Sequence, residues 1–203
     1  MVHEGEPAHY LRLKVSIGTL LFSWNDQEKI TGISWQEWHR PGANRGFLLT
    51  SRKIPIAVEM LIEDFWNFFE YGKPIPRVPW ESIDETTMSD FQRKVFEACS
   101  IIPHGETRPY GWIAERIWKP NAHRAVGQAL RRNPFCVLVP CHRVISAQGG
   151  MGGFLGKANG DEPELQLKRK LLDIEFNYKN PVFGFLSSNY DPIQVRTRLK
   201  SNG

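Results

Sequence analysis

Prolines punctuate residues 103–140 of this 203-residue chain so closely that only short helices fit there. Pro103, Pro120, Pro134 and Pro140 each lack an N–H donor and crowd the preceding turn, so each ends a helix that reaches it. The segments between them read accordingly. Ser89 is a good N-cap for a helix running to about Ser100, with Phe91, Val95 and Phe96 on its buried face, stopped by Ile102-Pro103-His104-Gly105. Thr107 is placed to cap a second helix, Tyr110 to Trp118, ended by Lys119-Pro120. Asn121 is placed to cap a third, Ala122 to Arg132, ended by Asn133-Pro134. Two short helices joined by a tight proline turn predict a helix-turn-helix. The apolar run Phe135 to Val139 then has the length of one buried strand, closed by Pro140.

The first half follows other periods. Tyr10 to Ser16 alternates apolar and polar residues, Gly18 marks a turn, and Thr19 to Trp24 returns as a hairpin partner. Lys29 to Trp38 reads as a third strand and Arg40 to Gly46 as loop. From Ile54 to Tyr71 the apolar residues Val58, Leu61, Ile62, Phe65, Phe68 and Phe69 recur at helical spacing, and Gly72 with Pro74 stops the pattern. That aromatic stripe reads as core. Lys73 to Pro79 carries three prolines and makes a stiff linker. The expected fold is α/β (α+β). An N-terminal unit of residues 1–84 carries a small antiparallel sheet and a helix. Residues 85–178 form a mostly helical, winged-helix-like unit, and residues 179–203 are an extension whose end frays.

No run of about 18 apolar residues is present, so no membrane span is expected. The polar start from Met1 to Tyr10 lacks the order of a secretory signal. Three cysteines make no disulfide framework, which fits an intracellular setting: nucleus in a eukaryote, cytoplasm in a prokaryote. Charge is divided unevenly along the chain. Residues 1–88 hold nine Lys/Arg against twelve Asp/Glu, whereas residues 89–203 hold seventeen against ten. Between Arg116 and Gly160 lie seven basic residues and no carboxylate, which suggests a phosphate-rich partner.

Inside that window sits Val139-Pro140-Cys141-His142-Arg143-Val144. A thiol beside a potential base and a guanidinium is where a depressed thiol pKa and nucleophilic chemistry are expected. Upstream, Arg124, Gln128 and Arg131 share one helix face, with Ala125, Gly127 and Ala129 keeping the neighbouring surface small. That face either approaches a ligand closely or packs tightly with its arginines in water. Downstream, Gly149 to Gly156 is glycine-rich without the residues of a phosphate loop, and reads as a hairpin turn, a lid, or both. Gln166 to Phe176 is amphipathic and offers Glu175 as a buried carboxylate. Cys136 and Cys141-His142 do not follow a zinc-ligand pattern, so no metal is expected.

The ordered set Ile102-Pro103-His104-Gly105-Glu106-Thr107, Tyr110, Arg124-Ala125-Val126-Gly127, Asn133-Pro134, Pro140-Cys141-His142-Arg143-Val144, Gly152-Gly153-Phe154 and Leu171-Leu172-x-x-Glu175 resembles the O6-alkylguanine-DNA alkyltransferases. The resemblance runs from about Phe91 to Glu175; the first half matches in layout alone. It implies direct-reversal DNA repair, with Cys141 taking the alkyl group from O6-alkylguanine, and from O4-alkylthymine, as an irreversible thioether. It further implies His142 as base through a water, Glu175 orienting the imidazole, and Asn133 fixing the active-site turn.

The same resemblance implies a monomer bound in the minor groove of double-stranded DNA, with no cofactor, no zinc and no obligate protein partner. Arg124 would fill the stack vacated by a flipped nucleotide. Tyr110 would crowd the 3′ phosphate, and Ala125, Gly127, Gln128 and Arg131 would lie along the DNA. Pro140, Val144, Phe154 and Leu155 would form the substrate pocket, and the carbonyls of Cys141 and Val144 would accept the guanine amino group. Two departures stand out: Phe154 occupies a position where the family commonly has tyrosine, and residues 157–167 look longer than the usual link. The alternative function is a non-catalytic sensor of alkyl damage, and Cys141 argues against it.

Overall fold

The computed structural model describes residues 9–36, 54–157 and 162–180. The expected loop from Arg40 to Gly46, most of the extension from 179, and residues 158–161 lie outside the described residues. Alternation in the first segment gives three antiparallel strands in the order β1 (His9–Val15), β2 (Gly18–Trp24) and β3 (Ile30–Trp35). The register pairs Leu13 with Leu20 and Phe22 with Ile33. Leu20, Phe22, Ile30, Ile33 and Trp35 are buried against α1 (Ile56–Tyr71), whose Val58, Leu61, Phe65, Phe68 and Phe69 face them. Phe22 meets Phe65 edge-on at 5.1 Å, and Trp35 meets Phe69 at 5.7 Å. Each such side chain contributes about 1.5–3 kcal/mol by leaving water. Gly72 ends α1 at φ +69°, where a β-carbon would come within 2.8 Å of Tyr178 Cβ. Only glycine fits.

The second half is built from α2 (Asp90–Ser100), α3 (Tyr110–Arg116), α4 (His123–Arg131) and α5 (Pro163–Lys179). Ser89 caps α2 as expected: its hydroxyl accepts from the Gln92 N–H at 3.3 Å, and its own N–H donates to Gln92 Oε1 at 3.0 Å. Helices α2, α3 and α4 pack together, and two short parallel strands, β4 (Arg108–Pro109) and β5 (Val144–Ile145), tie the helix-turn-helix to the segment after Cys141. No described helix is long and apolar enough to cross a membrane.

Several sequence expectations need correction. Neither Thr107 nor Asn121 is an N-cap: α3 starts after Pro109 and α4 after Ala122, without side-chain caps. At α3 the fixed φ of Pro109 sets the backbone entry that a capping hydroxyl would otherwise provide. Phe135 to Val139 is not a strand. Phe135 and Cys136 form isolated bridges, then Val137 turns at φ +70°, and the Val139 N–H returns to the Phe135 carbonyl at 2.9 Å. Burial made this run apolar, and burial is as compatible with a tight turn as with a strand. Part of the expected 157–167 insertion is helix, because α5 already begins at Pro163.

The turn is stitched to the sheet. The Ile33 N–H donates to the Pro134 carbonyl and the Cys136 N–H to the Ile33 carbonyl, both at 2.8 Å. Apolar residues of both halves therefore form one continuous core.

Candidate active site

Asn133, which ends α4, organises the reactive turn. Its Nδ2 donates to the Val139 carbonyl at 2.9 Å and lies 3.3 Å from Cys141 Sγ, while Oδ1 accepts from the Phe135 N–H at 3.0 Å. Pro140 then starts a single 3₁₀ turn, Cys141–Arg143, closed by the Arg143 N–H on the Pro140 carbonyl at 2.9 Å. Cys141 is 7% exposed, at the floor of a pocket. Burial raises its thiol pKa, opposed by the Asn133 amide, by Lys168 and by nearby backbone N–H groups. The depressed value expected from sequence is not what the structure provides. The resting group is a neutral thiol, so a base must take its proton during reaction.

Behind it lies a buried charged cluster. Glu175, fully buried on α5, accepts from His142 Nε2 at 2.8 Å, from Arg143 Nε at 2.9 Å and from the Gly105 N–H at 2.7 Å. Arg143 Nη1 donates to the Ile102 carbonyl at 2.7 Å. Burial works against the charge on Glu175, but His142 and Arg143 outweigh it and hold the carboxyl well below the usual carboxylate range. Burial lowers the pKa of His142, leaving a neutral imidazole whose Nδ1 is not engaged by Glu175. That nitrogen is free to accept a proton. Arg143, expected to assist the thiol, is committed to the carboxylate instead. Gly105 holds φ +69°, and a β-carbon there would meet Lys179 Cδ at 2.8 Å, so the donated N–H depends on glycine.

The cation that acts on the sulfur is one that sequence reasoning missed. Lys168 is fully buried, and its Nζ donates to the carbonyls of Val144 at 2.6 Å, Met151 and Gly153. Burial pushes its pKa down to about 8, with no carboxylate beside it. Its signal in the sequence was a lysine seven residues before Glu175, inside the Leu165, Leu171, Leu172 stripe.

The pocket, about 220 Å³, opens above Cys141 between α4 and the glycine-rich segment. Of the expected residues, Tyr110, Gly127, Gln128 and Arg131 line it with Phe154 and Leu155. The Tyr110 hydroxyl donates to the Gly153 carbonyl at 3.3 Å and accepts from the Gly153 N–H at 3.2 Å. Gly152, at φ +64°, leaves room for that ring: a β-carbon would lie 2.9 Å from the hydroxyl. The glycine-rich segment thus starts in a turn at Ser146 to Gly150 and continues as a fixed wall. Pro140 and Val144 are buried and do not line the pocket, and the Val144 carbonyl is already an acceptor for Lys168. Arg124 and Ala125 are exposed on α4, outside it.

A family model described as the DNA-binding domain of 6-O-methylguanine DNA methyltransferase matches residues 90–177. A methylated-DNA–protein-cysteine methyltransferase of Mycolicibacterium paratuberculosis is 50% identical over 82 residues, covering 40% of this chain and 50% of that protein. The chain thus aligns with about half the length of the curated relatives it matches. Structure extends the likeness. A variant of Mycobacterium tuberculosis OGT is 30% identical with a TM-score of 0.64, covering 85% of this chain and 94% of that one. The chain belongs to the O6-methylguanine-DNA methyltransferase family. The same family includes Mycobacterium tuberculosis OGT solved in complex with DNA, 29% identical, with a TM-score of 0.61 and coverage of 84% and 94%. The match to this O6-methylguanine-DNA methyltransferase reaches well beyond residues 90–177, so the sheet and α1 belong to the likeness as well.

Proposed function

We propose that this chain repairs alkylated DNA by direct reversal, moving the alkyl group from O6 of guanine, and from O4 of thymine, onto Cys141. The observation that carries this reading is one constellation. A sulfur lies at the floor of a pocket, 3.3 Å from the Asn133 amide, and the adjacent His142 is bonded to buried Glu175 at 2.8 Å. His142 Nδ1 takes the thiol proton through a water, and Glu175, held in place by Arg143, stabilises the imidazolium that forms. The thiolate attacks the alkyl carbon; the S–C bond forms as the C–O bond breaks, and the electron pair returns to the purine, which regains the proton. A thioether is not reversed by thiol exchange, so each molecule acts once.

The partner is double-stranded DNA, bound through the helix-turn-helix in the minor groove. Stacked guanine cannot reach a buried sulfur, so the nucleotide flips into the pocket and Arg124 occupies the gap. Among the described residues no carboxylate pairs with Arg116, Lys119, Arg124, Arg131 or Arg132, which leaves these cations available to phosphates. In this reading residues 85–178 carry DNA binding and transfer, and residues 1–84 support the reactive turn from behind. The test is incubation with a duplex bearing O6-methylguanine, followed by peptide mass spectrometry, with Cys141→Ala as control. One added methylene mass on Cys141 supports transfer. Tight binding without it returns the chain to the damage-sensor class.

A further inference from the structure

Trp118 is 92% exposed, more than any other large apolar side chain among the described residues. It lies in the turn between α3 and α4 at φ +58°, a backbone conformation that favours glycine. The turn is fixed by backbone bonds: Trp118 N–H to Glu115 carbonyl at 3.0 Å, Lys119 N–H to Ala114 carbonyl at 2.8 Å, and Ala122 N–H to Lys119 carbonyl at 2.8 Å. The indole therefore projects from a rigid platform. The positive φ closes α3 by bringing the Lys119 N–H to the Ala114 carbonyl, a closure glycine would make without strain, and the exposed indole adds nothing to it.

Its surroundings are basic apart from the exposed Glu115 one turn earlier. The Arg116 guanidinium lies over the Trp112 ring, 5.0 Å from its centroid, with Arg108 at 5.7 Å. Lys119 and His123 are exposed on the other side, and Arg124 follows at the start of the open face of α4. Stacking on Trp112 holds Arg116 in place without neutralising it. An apolar protein surface seated on Trp118 would leave Arg116 and Lys119 unpaired. A nucleic-acid strand matches both components, because phosphates alternate with apolar sugar and base faces.

We infer that the α3–α4 turn is a second DNA contact, in which Trp118 packs on the sugar and base edge of one strand while Arg116 and Lys119 meet the flanking phosphates. This rests on the reading of the chain as a DNA repair transferase, and it adds an anchor outside the pocket and outside the Arg124 face.

Trp118→Gly is the informative variant because glycine suits the backbone. Its melting temperature should equal or exceed that of the wild type. Its dissociation constant for an undamaged duplex at fixed salt should rise roughly fivefold or more, with the salt dependence unchanged. Lys119→Gln should instead lower the slope of log K against log salt by about one. Quenching of tryptophan fluorescence on adding duplex should shrink in Trp118→Phe. Wild-type affinity in Trp118→Gly overturns the contact, as does a loss confined to self-association in sedimentation, which would assign the indole to a second copy. Wild-type methyl transfer is scored separately. Its failure sinks the transferase reading, whereas normal duplex binding by Trp118→Gly sinks only this contact.

Discussion

Lys168 Nζ, without exposure to solvent, donates to the Val144 carbonyl at 2.6 Å and through Met151 and Gly153 fastens the pocket wall to the segment that follows Cys141. Lys168→Met keeps the stem volume but takes a donor from three carbonyls, of which Gly153 alone keeps another named one, the Tyr110 hydroxyl. Stability should fall by about 2 kcal/mol, and transfer should slow because the wall loosens and the sulfur loses its nearby positive charge. Urea denaturation and single-turnover rates check both. A variant with wild-type rate at every pH would separate Lys168 from the thiol.

Asn133 serves the turn and the sulfur together. Asn133→Ala removes the donor to Val139 and the contact to Sγ, and it strands the Phe135 N–H. A loss of about 1–3 kcal/mol in stability is expected. The pH profile of Cys141 alkylation should move upward, since burial then acts on the thiol with less opposition. An unchanged profile would show that the amide only braces the turn.

Acid should destabilise the chain from mildly acidic pH downward. Burial depresses folded His104 to about 4, with Glu175 pulling the other way, and its Nδ1 lies 3.8 Å from Glu175. Unfolded histidine titrates near ~6.5, so below that pH the unfolded chain binds protons that the folded chain refuses. His142, also depressed by burial, acts in the same direction. Glu175 adds a further loss below ~4.3, where the unfolded carboxylate protonates first. Denaturant midpoints should fall continuously from about pH 6.5 to about pH 3, and His104→Phe should flatten the upper part. Midpoints constant between about pH 7 and about pH 5 would contradict the burial of neutral imidazoles.

Phe154 lines the pocket at 4% exposure, where the resemblance leads one to expect a tyrosine hydroxyl. Phe154→Tyr should speed transfer roughly tenfold by donating to the departing guanine oxygen. An equal rate would mean that another donor already serves that atom.

Arg124 is exposed on α4, without a carboxylate partner among the described residues. Arg124→Ala should slow repair of a duplex substrate more than repair of the same lesion in a single strand, where no stack needs filling. Equal slowing of both would make Arg124 a phosphate contact instead.

Much of this was legible in the sequence wherever a local rule decided. Alternation gave the hairpin, Ser89 gave the start of α2, and Gly72 gave the end of α1. Of the four residues expected to form the pocket, Phe154 and Leu155 line it and Pro140 and Val144 do not, while Tyr110 and Gly127, expected along the DNA, line it too. What local rules could not reach was tertiary. Phe135 to Val139 satisfies a strand pattern equally well whether it runs straight or folds back, and only the Asn133 side chain decides. Arg143 looked available to the thiol because Glu175 is 32 residues distant in the chain, and it is Glu175 that claims the guanidinium. Lys168 drew no reading from the sequence, because nothing near it announces three waiting carbonyls.

Ile33 exchanges hydrogen bonds with Pro134 and Cys136, five residues before the nucleophile. The edge strand of the amino-terminal sheet is thereby a jig that sets the angle at which the sulfur is presented. On the proposed function, substitutions at Phe22 or Phe65, buried in the core of the sheet and α1, slow transfer without touching the pocket. Separating the carboxy-terminal half at the proline-rich linker would leave the reactive turn with a raw margin where Ile33 had been.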